Sequence, residues 1–144
     1  MVQRVVEVSQ AEIGSFTSIA TYLPVRRWRH VIPFFRMSGR VEEQLRRTEG
    51  VVRYGLKTDF LRKRFWTCSI WKDRKAVGPF VTGEPHATAV RKFAEWAGDG
   101  AAFVEWDSAD GRVDWEEAAH RLKSPTFYYR KQAGHQLTHS EPAP

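Results

Sequence analysis

Residues 51–71 decide the fold, and they read VVRYGLKTDFLRKRFWTCSIW. Both ends of this stretch, 51–58 and 64–71, are rich in β-branched and aromatic residues, which is typical of strands. The five residues between them are enough for a tight connection only. We therefore predict an antiparallel hairpin near the middle of the chain.

The segment before this hairpin and the segment after it are each predicted to contain one helix and one strand. Upstream, residues 16–23 alternate as a strand does, and residues 30–48 repeat apolar positions at helical spacing. Downstream, a short helical segment over 73–80 precedes two chain breaks, at Gly78-Pro79 and at 83–85. A helix beginning at Pro85 and a strand over 101–107 complete the order β-α-β-β-α-β.

This order predicts an α+β, ferredoxin-like βαββαβ domain with helices on one face of the sheet. Large apolar residues alternate on both sides of the third strand, so the other face also needs a cover, for which a second copy is the simplest candidate. We therefore expect a homodimer in the form of a dimeric α/β barrel. Asp114 and Glu117 form a capping box for a C-terminal helix, and residues 126–129 predict a closing strand. We expect one domain over 1–133 and a disordered tail over 134–144.

Composition limits the environment and the partners. The chain has 144 residues, one cysteine and a formal charge of +6, and residues 1–75 alone carry 16 Lys/Arg against 7 Asp/Glu. One cysteine favours a reducing compartment, and no stretch has the ~18 apolar residues of a membrane span. The N-terminus also lacks a signal-peptide core, so we expect a cytoplasmic protein without a membrane partner. The positive charge of residues 1–75 is best explained by solvated helix faces. The second explanation is a surface that binds an anion or nucleic acid.

Nucleic acid is an unlikely partner on the evidence of the third strand. RNA-recognition motifs share the βαββαβ order, but their third strand carries two small residues among basic and aromatic ones. Residues 63–68, KRFWTC, lack both small residues. We therefore do not expect RNA binding.

The sequence resembles the antibiotic biosynthesis monooxygenase-like superfamily of dimeric α/β barrels, in an uncharacterised branch. The resemblance spans residues 16–129 and starts from TCSIWKD at 67–73, where a strand ends in Trp and an acidic helix start follows. It continues with Ala76, Phe80, Pro85-His86 and Phe93. Further along come Trp106, Gly111, the run DWEEA at 114–118, Leu122 and Phe127.

The resemblance implies three functions. The first is a cofactor-independent monooxygenase acting on a small aromatic or polyketide-like substrate, with no cofactor. The second is a haem protein with His86 as axial ligand, and the third is a non-catalytic dimer that binds a small molecule. Haem-degrading members place a histidine further along the second helix, where this chain has Val90 and Phe93.

His86 is the predicted catalytic residue. It opens a helix, where the positive end of the helix dipole favours a neutral imidazole that can act as a base. Alternatively, it satisfies nearby backbone groups. We predict that an apolar or aromatic small molecule binds against Trp71, Phe80 and Trp66, with Tyr22 offering a phenol; ordinary core packing is the alternative for the aromatic rings. We expect no metal site.

Overall fold

The computed structural model describes residues 1–10 and 14–130. They form one six-stranded antiparallel sheet with the order β1-β3-β4-β2-β5-β6. The strands are β1 (Val2–Glu7), β2 (Phe16–Pro24), β3 (Val51–Asp59), β4 (Arg64–Trp71), β5 (Ala102–Ser108) and β6 (Phe127–Tyr128). The four central strands have the order of a ferredoxin-like fold, which confirms the predicted fold class. Within the one chain the sheet is open and closes no barrel.

Four α-helices connect or follow the strands: α1 (Val31–Arg46), α2 (Val77–Thr82), α3 (His86–Trp96) and α4 (Trp115–Arg121). Pro33 lies in the first turn of α1, where its missing N–H costs little. Asp73 caps the short turn before α2 by accepting a hydrogen bond from the Ala76 N–H at 3.0 Å. No helix of the described residues is long and apolar enough to cross a bilayer.

Helices α1, α2 and α3 bury one face of the sheet. Near one end, Phe34 of α1 and Phe93 of α3 pack with Phe65 of β4. Near the other end, Trp71 packs in a second cluster together with Leu45, Tyr54, Val77 and Phe80. The candidate site grows out of this second cluster.

The opposite face is covered at its centre by the chain's own C-terminal segment. Val113 and Trp115 pack on a cluster that contains Cys68 and three further buried residues, namely Phe16, Val52 and Ile70. Ala118 of α4 packs in a neighbouring cluster with Ala20 and Val104. Asp114 starts α4 by accepting hydrogen bonds from the N–H groups of Glu116 and Glu117, as the capping box predicts. The chain thus supplies a cover that the sequence pattern attributed to a second copy, and a homodimer stays a prediction.

Two features of the sheet edges differ from the sequence prediction. Strand β1 was not predicted, although it pairs with β3 along six residues. Its side chains are mostly exposed, so it lacks the apolar alternation that marks a half-buried strand. Strand β6 covers two of the four residues predicted for it. The predicted tail over 134–144 and the domain boundary at 133 lie outside the described residues.

Candidate functional site

Three of the five predicted site residues lie side by side on the helix face of the sheet. The ring of Phe80 lies between the other two, with its centroid 5.5 Å from the ring of Trp71 and 4.6 Å from that of His86. The planes are tilted by 52° and 48° respectively. An aromatic ring therefore stands between an indole and an imidazole.

Each of these side chains comes from a different element. Trp71 is the last residue of β4, is 1% exposed, and donates its indole N–H to the Ser69 hydroxyl at 2.9 Å. Phe80 is carried by α2, and His86 is the first residue of α3. The predicted chain break around Gly83 separates α2 from α3 but leaves the two helices in contact, so that Phe80 and His86 meet.

Gln44 of α1 joins α2 to α3, and no sequence pattern indicates this role. Its Nε2 donates to the Phe80 carbonyl at 3.1 Å, and its Oε1 accepts from the His86 backbone N–H at 2.8 Å. The nitrogen and the oxygen of the Gln44 side-chain amide thus each hold the backbone of one site residue in place. Only the fold could reveal this contact, because 36 and 42 residues separate the partners.

His86 is arranged as a neutral imidazole with one nitrogen left to accept a proton. Its Nδ1 lies 3.1 Å from the Val81 carbonyl, which can only accept, so Nδ1 carries the proton. Burial lowers the pKa of His86 below its ordinary 6.5, against the opposing effect of the Val81 hydrogen bond. No residue of the described chain pairs with Nε2. The ring is therefore suited to act as a base near neutral pH.

The three rings fill the space between them. Trp71 and Phe80 are both buried, so they pack as core, which is the alternative that the sequence left open. A cleft of about 410 Å³ lies between the α1–β3 connection and the segment that leads into α2, and none of the three residues lines it. Its walls are Thr48, Glu49, Gly50, Lys72, Asp73, Lys75, Ala76 and Pro79.

Tyr22 and Trp66 do not belong to this site. They are paired across β2 and β4, with ring centroids 5.5 Å apart, on the opposite face of the sheet. Side chains alternate along a strand, so Trp66 and Trp71, five residues apart, must face opposite ways. The ammonium of Lys57 lies 5.0 Å from the centroid of the Trp66 ring. The sheet therefore separates Tyr22 and Trp66 from Trp71 and Phe80, and ligand binding by these four residues stays a prediction.

A charged network next to the site escaped the sequence analysis. The Tyr54 hydroxyl donates to Glu42 at 2.5 Å and accepts from Arg46 at 2.8 Å, while Arg4 reaches Glu42 at 2.7 Å. Burial opposes ionisation of Glu42, but hydrogen bonds from Arg4 and Tyr54 hold its pKa below the ordinary value. Arg4 comes from β1, so missing that strand meant missing the network. Tyr54 packs in the same cluster as Trp71 and Phe80.

Neither a metal nor haem fits the residues that the structure describes. Among residues 1–10 and 14–130, no three His, Cys, Asp or Glu side chains converge on a possible metal site. Haem ligation needs a broad flat space at the imidazole, but the Phe80 ring packs against His86, and the single ring that Phe80 would vacate is far smaller than a haem macrocycle. We therefore derive no step through haem.

No family model matches the sequence, and no curated protein matches it. Solved structures do match the fold. A variant of SnoaB, a cofactor-independent oxygenase from Streptomyces nogalater, has a TM-score of 0.52 and 11% identity over 68% of this chain and 95% of its own. An antibiotic biosynthesis monooxygenase has a TM-score of 0.56 and 17% identity over 65% of this chain and 97% of its own. A conserved protein from Methanosarcina mazei has a TM-score of 0.57 and 13% identity over 63% and 90%.

These matches show that the chain shares its fold with solved structures of monooxygenase-type proteins, as the resemblance implied. At such identities the likeness concerns the fold alone, since one fold hosts many activities. Any assignment of function must therefore come from the site itself.

Proposed function

We propose that this protein is a cofactor-independent monooxygenase that acts on a small aromatic or polyketide-like substrate. One observation carries the proposal: the ring of Phe80 lies between Trp71 and His86. The site therefore already accommodates an aromatic ring beside a neutral imidazole. In the working enzyme the substrate ring takes the place of Phe80, and the cofactor-independent oxygenase SnoaB has the same fold.

Displacement of Phe80 requires α2 to move, and α2 is suited to do so. It has only six residues, of which Val77 and Phe80 are the buried ones. Gly78 and Gly83 flank Phe80, and Gly78 has no atom within 4 Å of the position of a Cβ. Moving Phe80 out costs the burial of its ring, and the substrate ring offsets that cost by being buried in the same place. Release of the Gln44 amide from the Phe80 carbonyl would free α2 while α1 stays in place.

The chemistry needs one base and a dry pocket. His86 Nε2 removes a proton from a methylene group flanked by aromatic rings, and the resulting carbanion reacts with dioxygen. One oxygen atom stays on carbon as a carbonyl, and the other leaves as water with both hydrogens of the methylene. The carbon loses four electrons and dioxygen gains four, so no external reductant is needed. Trp71 supplies the apolar wall that excludes water.

Oxygen uptake with an anthrone-type substrate, a methylene between two aromatic rings, tests the proposal. We expect uptake without added flavin, haem or metal, and a loss of about 10²–10⁴-fold in the His86→Ala variant, as for removal of a general base. His120→Ala, which alters an exposed histidine of α4, is the matched control and should leave uptake unchanged. Binding without uptake would instead indicate a non-catalytic binding protein.

A further inference from the structure

Five large apolar side chains are exposed together at the end of the molecule where the β3–β4 connection meets the start of α1. This apolar patch consists of Trp28, Ile32, Phe35, Phe60 and Leu61. Trp28 and Phe35 both contact the Phe60 ring, with centroids 5.4 and 6.0 Å apart. Ile32 and Leu61 are the most exposed members, at 68% and 82%. A contiguous exposed group of this kind marks an interaction surface.

The patch is surrounded by positive charge. Residues 26–36 contain four arginines and residues 60–64 contain three Lys or Arg, and neither range contains Asp or Glu. The Lys63 ammonium lies over the Trp28 ring, 4.9 Å from its centroid. Two carboxylates lie nearby: Asp59 is buried and paired with Arg62 at 3.2 Å, and Glu95 of α3 interacts electrostatically with His30. The exposed apolar side chains of the patch therefore lie among a majority of positively charged residues.

We propose that the apolar patch docks this protein on an anionic phospholipid bilayer. Leu61 and Ile32 enter the boundary between headgroups and acyl chains, while Trp28 lies at headgroup level. The surrounding arginines and lysines bind the lipid phosphates and carboxylates. This surface contact needs no spanning segment, so it revises the expectation of no membrane partner. It also goes beyond the proposed oxygenase activity, since none of these residues belongs to the candidate site.

The composition of the patch favours lipid over the other occupants. A second copy of the chain on this surface would bring arginines against arginines. Single-stranded nucleic acid needs open aromatic faces on which bases stack. Here Lys63 lies over Trp28, and Phe35 and Phe60 stack on each other with their planes 16° apart. The two most exposed residues are aliphatic, which suits acyl chains and not bases.

Co-sedimentation with vesicles tests the proposal. The full chain should bind vesicles of phosphatidylcholine with phosphatidylserine and not those of phosphatidylcholine alone. Leu61→Ser should weaken binding about tenfold, through lost burial of one apolar side chain. Arg27→Glu combined with Arg29→Glu should weaken it at least about tenfold, through lost attraction to anionic lipid.

Matched controls lie elsewhere on the surface. Val2→Ser removes another exposed aliphatic side chain, and Arg112→Glu with Lys123→Glu changes the same number of charges away from the patch. These should retain binding. Equal loss in the controls, or no binding to the anionic vesicles, would overturn the proposal. So would patch-dependent binding to single-stranded RNA in place of vesicles, or a change from dimer to monomer in Leu61→Ser by light scattering.

Discussion

Replacement of Phe80 by alanine tests whether the space between Trp71 and His86 accepts a free aromatic ring. Phe80 is buried, so its truncation costs about 3–5 kcal/mol of unfolding free energy, from lost burial and from the cavity. For a domain of this size, each kcal/mol lowers Tm by about 3 °C, so Tm should fall by about 10–15 °C. The resulting cavity should have the size of a benzene ring and should lie next to the imidazole of His86.

Phenol should refill this cavity and restore stability. At about one hundred times its Kd, phenol adds roughly 2.7 kcal/mol, which raises Tm by about 8 °C. Thermal unfolding followed by circular dichroism, with and without phenol, measures both effects. Phe127→Ala truncates a partly exposed phenylalanine and serves as the control, with no response to phenol. A folded Phe80→Ala variant that phenol does not stabilise would refute the idea of a ring site.

Four further experiments test separate parts of the structure. Gln44→Ala removes two hydrogen bonds and should cost about 1–3 kcal/mol by denaturant unfolding, with the loss confined to α2 and α3 in hydrogen exchange. Gly55→Ala places a Cβ 2.7 Å from a methyl of the C-terminal segment and should destabilise by about 1–3 kcal/mol, whereas Gly39→Ala has open space and should stabilise. Burial lowers the pKa of His86, so the folded protein binds a proton there less readily than the unfolded chain does. The stability that neutral His86 contributes is therefore present above pH 6.5 and is lost as the pH falls through the folded-state pKa. His86→Gln should flatten this pH dependence of the unfolding free energy, as measured by denaturation at a series of pH values. Burial raises the pKa of Cys68 to about 12, so its thiol should resist aromatic disulfide reagents at about pH 8 until the chain unfolds.

The sequence predicted the central elements well because their signals are local. Alternation over β2 and β4 and the helical repeat of α1 are visible within single segments. Strand β1 lacked such a signal, since only one of its six residues is even partly buried and its pairing with β3 provides the stabilisation. The cover on the second face of the sheet could not be predicted either. The amphipathic pattern of α4 indicates that this helix packs against apolar residues, but it does not indicate which face of the sheet, or which copy of the chain, it packs on.

The candidate site was predicted in part for the same reason. Trp71, Phe80 and His86 were grouped correctly, since a strand end, a broken connection and a helix start bring them together. Trp66 was assigned by residue type, although its parity along β4 already placed it opposite Trp71. Gln44 acts through contacts across more than 30 residues, and no single-sequence pattern reveals such contacts.

Labelled dioxygen provides the most direct test of the proposed oxygenation at His86. The purified chain is incubated with an anthrone-type substrate under ¹⁸O₂, without added cofactor, and the product is analysed by mass spectrometry. We predict one labelled oxygen atom in each product molecule, formed at least about 10²-fold more slowly by His86→Ala than by the His120→Ala control. A product without label, or label introduced equally fast by the His86 variant, would contradict the account.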